Sequence, residues 1–120
     1  MHPLFQTYRN GYDLALLKLF GEIHFDEYSR PIPVEWSRNQ AQEGEICVTF
    51  GYGSEFKKNF LTLMTSDIEI VDNKNCTTEG ALPFGTLCTS PERGYPEDID
   101  AGAPLICNEK LMGIFSYNIY

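Results

Sequence analysis

The stretch PLICNEKLMGIFSY, Pro104 to Tyr117, holds two short apolar runs separated by Asn108-Glu109-Lys110. Turn-forming residues between such runs predict a β-hairpin. Most periodic segments upstream have the same character. EICVTFGYG places Val48 and Phe50 in alternation and stops at Gly51 and Gly53, where a strand bends or ends. LTLMTSDIEIV alternates through Ile68 and Ile70, with Asp67 and Glu69 turned the other way. DLALLKLF, Asp13 to Phe20, is apolar on both alternating faces and suits a strand buried on both sides, although a short helix fits the same letters. Polar loops containing Pro and Gly separate these runs: SRPIPVEWSRNQAQEG, NKNCTTEGALPFG and SPERGYPEDIDAG. Short strands with long surface loops predict an all-β barrel or sandwich.

Length and charge narrow the range of functions. A chain of 120 residues is one domain's worth, and at this size it buries roughly two-thirds of its unfolded surface. A hydrophobic content of 42%, with eight Phe and seven Tyr, is too apolar and aromatic for a disordered tail. Seventeen acidic residues against nine basic ones leave a formal charge of -8, which argues against nucleic acid and anionic membranes as partners. No secretion signal is visible after Met1, and the apolar run LALLKLF is short and interrupted by Lys18. No run approaches the roughly 20 apolar residues of a membrane-spanning helix. There is no repeat or low-complexity tract, and Ser29 to Gly44 is a candidate link between two sub-structures.

The four cysteines, Cys47, Cys76, Cys88 and Cys107, never occur as C-x-x-C, so zinc and redox-motif readings are weak and no metal site is expected. An even count permits two disulfides, and the residues alone do not choose among the pairings or exclude four buried thiols. Asn75-Cys76-Thr77 fits the acceptor pattern for N-linked glycosylation, a three-residue match that chance often supplies.

The order of the pieces YDLALLKL, CVTFGYG, Cys76, LPFGTLC, DIDAGAPLIC and LMGIFSY resembles the trypsin/chymotrypsin-like serine proteases over nearly the whole chain. That resemblance implies a double β-barrel fold with the active site between the barrels. Residues from about 1 to 34 would be the end of the first barrel, and residues from about 45 to 120 most of the second. It implies pairing of Cys47 with Cys107 and of Cys76 with Cys88, an extracellular location and no cofactor.

It also assigns residues to vestigial roles. Asp13 matches the aspartate that orients the family's catalytic histidine. That histidine lies upstream in the family, and this chain is expected to begin too late to contain it. Neither His2, in a His-Pro pair, nor His24, in the loop after the predicted strand, is expected to replace it. In the family's G-D-S-G-G-P motif the residues here are Ile99, Asp100, Ala101, Gly102, Ala103 and Pro104. Ala101 takes the place of the nucleophilic serine, and a methyl group has neither a lone pair nor a transferable proton. The oxyanion donors would be the N–H groups of Ile99 and Ala101, and a β-branched residue suits poorly the backbone that glycine permits there. Asp100 matches the aspartate that pairs with the new N-terminus of activated proteases, and no Ile-Val-Gly-Gly segment is present to supply it. Tyr95 falls at the floor of the specificity pocket, Glu97 replaces a cysteine, and Asn118 replaces a glycine of the pocket wall. Ser116 and Tyr117 match a pair that supports the aspartate and lines the substrate channel.

The expected function is that of a non-catalytic serine protease homologue acting by protein binding, with a protease, an inhibitor or an extracellular complex as partner. The alternative is a truncated fragment of a serine endopeptidase without independent function. Because the chain is expected to stop before the strands and helix that close the second barrel, edges near DLALLKLF and LMGIFSY are expected to drive self-association.

Overall fold

The computed structural model describes residues 1–37, 41–53, 62–76, 82–94, 96 and 100–118. Five strands form one antiparallel sheet: β1 Ile46–Gly51, β2 Met64–Val71, β3 Cys88–Ser90, β4 Pro104–Cys107 and β5 Lys110–Ile114. Their spatial order is β3-β2-β1-β4-β5. The fold is all-β, and the helical elements among the described residues are short 3-10 turns at Tyr8–Asn10, Asn73–Asn75 and Pro91–Arg93.

Alternation explains the inner face of the sheet. In β2, Ile68 and Ile70 are buried while Asp67 is exposed and Glu69 partly so, as the apolar pattern predicts. In β1 the buried residues are Cys47 and Thr49, whereas Val48 and Phe50 lie on the opposite, more open face. The apolar alternation of β1 thus marks its outer side. Cys47 is bonded to Cys107, and that cross-link holds the odd-numbered face of β1 inward. Around it gather Ala41, Ile70, Leu105 and Met112. The second disulfide joins Cys76 to Cys88, whose strand β3 is an outer strand of the sheet.

The hairpin of β4 and β5 turns at Asn108 and Glu109, as expected. Both residues have positive φ, 50° and 61°, so the two-residue turn twists with the strands it joins. Asn adopts this conformation readily; Glu does so at a cost. The Asn108 side chain also donates to the Glu45 carboxylate at 2.7 Å, tying the turn to the start of β1.

The first expected strand is absent. Residues Asp13 to Phe20 form no ladder, and Leu16 and Leu17 are 97% and 89% exposed. The apolar pattern there is a necessary condition for a doubly buried strand and not a sufficient one. A strand is stabilised by its neighbours' N–H and C=O groups, and no described strand lies beside this stretch.

The segment that follows does reach the sheet. Val34 bridges Leu111 in parallel, with the Leu111 N–H donating to Pro33 O at 2.8 Å and the Glu35 N–H donating to Leu111 O at 3.0 Å. Lys110 Nζ lies 2.8 Å from Glu35 Oε2, and the Glu35 side chain is only 15% exposed. These contacts cover the outer edge of β5 with a charged, non-strand segment, one way proteins blunt an open edge.

The Lys110 ammonium and the Ser37 donors beside it lower the Glu35 carboxyl from its usual 4.5 to about 2. A depressed carboxylate stabilises the fold fully above its unfolded value, and that contribution is lost as pH falls through the folded value. Acid unfolding followed by tryptophan fluorescence should therefore show a stability decline between pH 4.5 and about 2. Glu35→Gln should flatten that part of the curve and leave the shape near neutrality unchanged; an identical acid profile for the variant would remove the salt bridge from the account.

Candidate functional site

The turn that carries Ala101 is built by three backbone hydrogen bonds. The Ala103 N–H donates to Asp100 O at 2.8 Å, the Gly102 N–H to Phe115 O at 2.9 Å and the Phe115 N–H to Ala103 O at 2.8 Å. Gly102 has φ of 93°, a conformation that costs glycine little and other residues more. The turn is thereby fastened to the chain leaving β5, and Ala101 is exposed at its tip.

Its first residue is anchored to a different strand. Asp100 Oδ1 accepts from the N–H groups of Tyr52, at 2.9 Å, and Gly53, at 3.1 Å. The approach requires Gly51, since a Cβ there would sit 2.5 Å from Asp100 Oδ1. Gly53 has φ of 63°, which helps present successive N–H groups to one carboxylate oxygen. The glycines of EICVTFGYG therefore make a cradle for a carboxylate as well as ending a strand. Sequence reasoning saw the second role only. The repeated glycine after an alternating strand was the available signal for the first, but its partner lies 47 residues away.

The N-terminal segment meets the end of β5 through side chains. Ser116 Oγ donates to Asp13 Oδ2 at 2.6 Å. The rings of Tyr8 and Tyr117 lie 4.8 Å apart, and those of His2 and Tyr12 stack at 4.8 Å. Asn118 Nδ2 donates to Pro96 O at 3.0 Å. Asp13 and Ser116 are thus brought together, with the Ala101 turn bonded to the residue immediately before Ser116. Tyr95, Glu97 and Ile99 lie outside the described residues.

His2 Nδ1 accepts from the Leu4 N–H at 3.2 Å and its ring is occupied with Tyr12, while His24 stands exposed in the loop after Phe20. Glu45, Cys47 and Cys107 bring possible ligand atoms close together, but both sulfurs are committed to the disulfide and cannot act as thiolates. No helix among the described residues is long and apolar enough to cross a membrane.

The Gly51 cradle yields a specific expectation. Gly51→Ala should push Asp100 off the Tyr52 and Gly53 N–H groups and cost about 1–3 kcal/mol by the combined collision and lost bonds. Gly21→Ala, where an added Cβ meets nothing within 4 Å, is the matched control. Hydrogen exchange at Tyr52 and Gly53 should accelerate in the first variant alone; unchanged exchange would show that the carboxylate does not hold those amides.

Comparison with known proteins gives a consistent result. The family model described as Trypsin matches residues 1–120. Kallikrein-10 of Homo sapiens is 29% identical over 124 residues, an alignment covering 98% of this chain and 44% of the relative. Trypsin-2 of Salmo salar is 25% identical over 122 residues, covering 97% of this chain and 52% of the relative. A solved structure of kallikrein-related peptidase 10 superposes with a TM-score of 0.64 at 24% identity, covering 84% of this chain and 49% of that one, a likeness of fold. The chain spans about half the length of the curated relatives it matches.

Proposed function

The chain belongs to the trypsin family, and on that premise we propose that it is a non-catalytic serine protease homologue that acts by binding protein. The observation that carries the reading is Ala101, exposed at the tip of the Asp100–Ala103 turn, at the position that the motif resemblance matches to the family's nucleophilic serine. Acyl transfer by this route needs an oxygen that can attack a carbonyl and surrender a proton, and a methyl group does neither.

The surroundings support the reading without adding a substitute. Ser116 Oγ is engaged with Asp13, and Ser90 Oγ accepts from the Glu92 N–H at 3.3 Å in a largely buried position. Asp13 and Ser116 are read as the retained support of a triad whose other members this turn does not supply. The oxyanion and pocket roles of Ile99, Ala101, Tyr95, Tyr117 and Asn118 belong to the same reading, as does a division into a first-barrel remnant near residues 1–34 and a second barrel from about 45. Two disulfides support an extracellular setting, where such bonds persist. A protease, an inhibitor or an extracellular complex is the class of partner this reading favours.

The test restores the missing oxygen. Ala101→Ser should remain unlabelled by a fluorophosphonate probe and should not cleave peptides with basic, aromatic or small side chains before the cut, because one triad member alone gains little. Stoichiometric labelling at residue 101, or turnover above the wild-type background, would overturn the reading.

Binding is expected to involve the bare segment from Leu14 to Phe20. Leu16, Leu17 and Phe20 are almost fully exposed, and contiguous apolar surface of this kind marks an interaction site. Sedimentation should show concentration-dependent self-association that Leu17→Asp with Phe20→Ser weakens. A monodisperse wild-type monomer with a single cooperative melt would contradict the assignment.

A further inference from the structure

Between two anchors the chain runs bare. Asp13 is held by Ser116 Oγ, and at Val34 and Glu35 the backbone returns to pair with Leu111 of β5. Every residue from Tyr12 to Val34 is exposed. From Ala15 to Phe25 no backbone N–H or C=O is hydrogen-bonded among the described residues. The next fastening is the turn in which the Asp26 carboxylate accepts from the Tyr28 and Ser29 N–H groups. No helix or turn forms from Ala15 to Leu19, and the chain first bends at Phe20 and Gly21, where an added Cβ on Gly21 would meet nothing within 4 Å.

An endopeptidase takes consecutive residues into its cleft as an unpaired strand, because its own main-chain groups bond to theirs. A segment committed to a ladder or a helix must open first, at a cost in free energy. Ala15 to Gly21 is spared that step, and it holds one cation. Lys18 enters no hydrogen bond or ion pair among the described residues. The other described basic residues are engaged: Lys110 pairs with Glu35 and Arg93 with Glu69, while Arg9 and Lys74 lie within 3-10 turns. Arg30 Nε donates to Asp26 O, and the following Pro31 lacks an N–H and restricts the backbone on both sides of the bond.

From this we propose that the Lys18–Leu19 bond is a cleavage site for an endopeptidase that cuts after basic side chains, and that the cut releases residues 1–18 from Ser116 and Tyr117. Water is the co-reactant: the C–N bond between Lys18 and Leu19 breaks, the water oxygen stays in the new Lys18 carboxyl group, and the Leu19 nitrogen gains the proton. Both disulfides join residues from Cys47 onward, so nothing covalent retains the segment afterwards. Its described contacts with the remainder are the Asp13–Ser116 hydrogen bond, the Tyr8–Tyr117 ring contact and the approach of Gly11 to Pro83, whose Cβ would lie 3.1 Å from a Cβ added at Gly11. Contacts of this kind persist while the segment is tethered, because the tether keeps its effective concentration high. After the cut they join two molecules and must also offset the freedom each would lose. The remainder, beginning at Leu19, then presents Ser116 and Tyr117 uncovered beside the Ala101 turn.

The cut is independent of whether residue 101 supports catalysis. Self-association through the same stretch would bury the bond, so the oxidised full chain is digested with a low ratio of trypsin over a dilution series. Products at the lowest concentration are read by intact mass and N-terminal sequencing. The expected result is an early product beginning at Leu19, a 1–18 peptide that separates from it on gel filtration, and faster hydrogen exchange over residues 115–118 of the remainder. Lys18→Gln and Leu19→Pro should each remove that product, the second with the charge retained; disulfide mapping checks that both variants keep their two links. The wild-type digest decides the site even if a variant fails to fold. A Lys18–Leu19 bond still intact once the chain is cut after Arg9, Lys74, Arg93 or Lys110 would overturn the proposal. So would a cut chain whose 1–18 segment stays bound through gel filtration with exchange over 115–118 unchanged.

Discussion

The link between Cys47 and Cys107 is the constraint on which the arrangement depends. The two residues are 60 apart in sequence, with Cα atoms 4.6 Å apart. Cross-linking a loop of that length removes about 4 kcal/mol of denatured-state freedom in the chain-entropy picture, against about 3 for the 12-residue separation of Cys76 and Cys88. The larger effect is on register. Val48 pairs with Ile106 and Thr49 with Leu105, and continuing that ladder places Cys47 opposite Cys107. Run in the other direction, the same alignment carries Tyr52 and Gly53 toward Gly102 and Ala101, beside Asp100. The carboxylate cradle is therefore a consequence of strand register, and the Ala101 turn is held where the register ends.

A second attachment explains how a segment without a strand is still placed. Residues up to Asp13 are held to the chain after β5 by the Asp13 carboxylate accepting from Ser116 Oγ and by the Tyr8–Tyr117 ring contact, while His2 stacks on Tyr12 within the segment itself. These contacts are local and directional, so they fix individual side chains near the end of β5. They do not supply the row of backbone partners that a strand needs, and immediately beyond them Leu14 to Phe20 stand open. At Val34 and Glu35 the chain returns to backbone pairing, and order extends along β5 again. The bare stretch lies between two anchors, which gives an apolar surface a defined position on the molecule.

Much was legible in the sequence because it depended on near neighbours or on chemistry that a single residue carries. The alternation of Ile68 and Ile70 against Asp67, and the break at Asn108-Glu109, specify β2 and the hairpin through side-chain period and turn preference. Ala101 rules out an acyl-enzyme at that position whatever the fold does, since no conformation gives a methyl group a lone pair. Family resemblance carried the disulfide pairing and the proximity of Asp13 and Ser116, which the residues alone left open.

Tertiary structure decided the rest. An apolar period cannot tell which side of β1 is inward: Val48 and Phe50 advertise one face, and the bond from Cys47 to a residue 60 positions later selects the other. Nor can DLALLKLF show whether it is a strand, because a strand's stability resides in hydrogen bonds to a neighbour that its own letters do not contain. The role of Gly51 likewise exists only once Asp100 has been brought against it. Local sequence determined what each segment was able to form and what Ala101 was unable to do; pairing across the fold determined which faces were buried and which strands found partners, since both depend on groups distant in the chain.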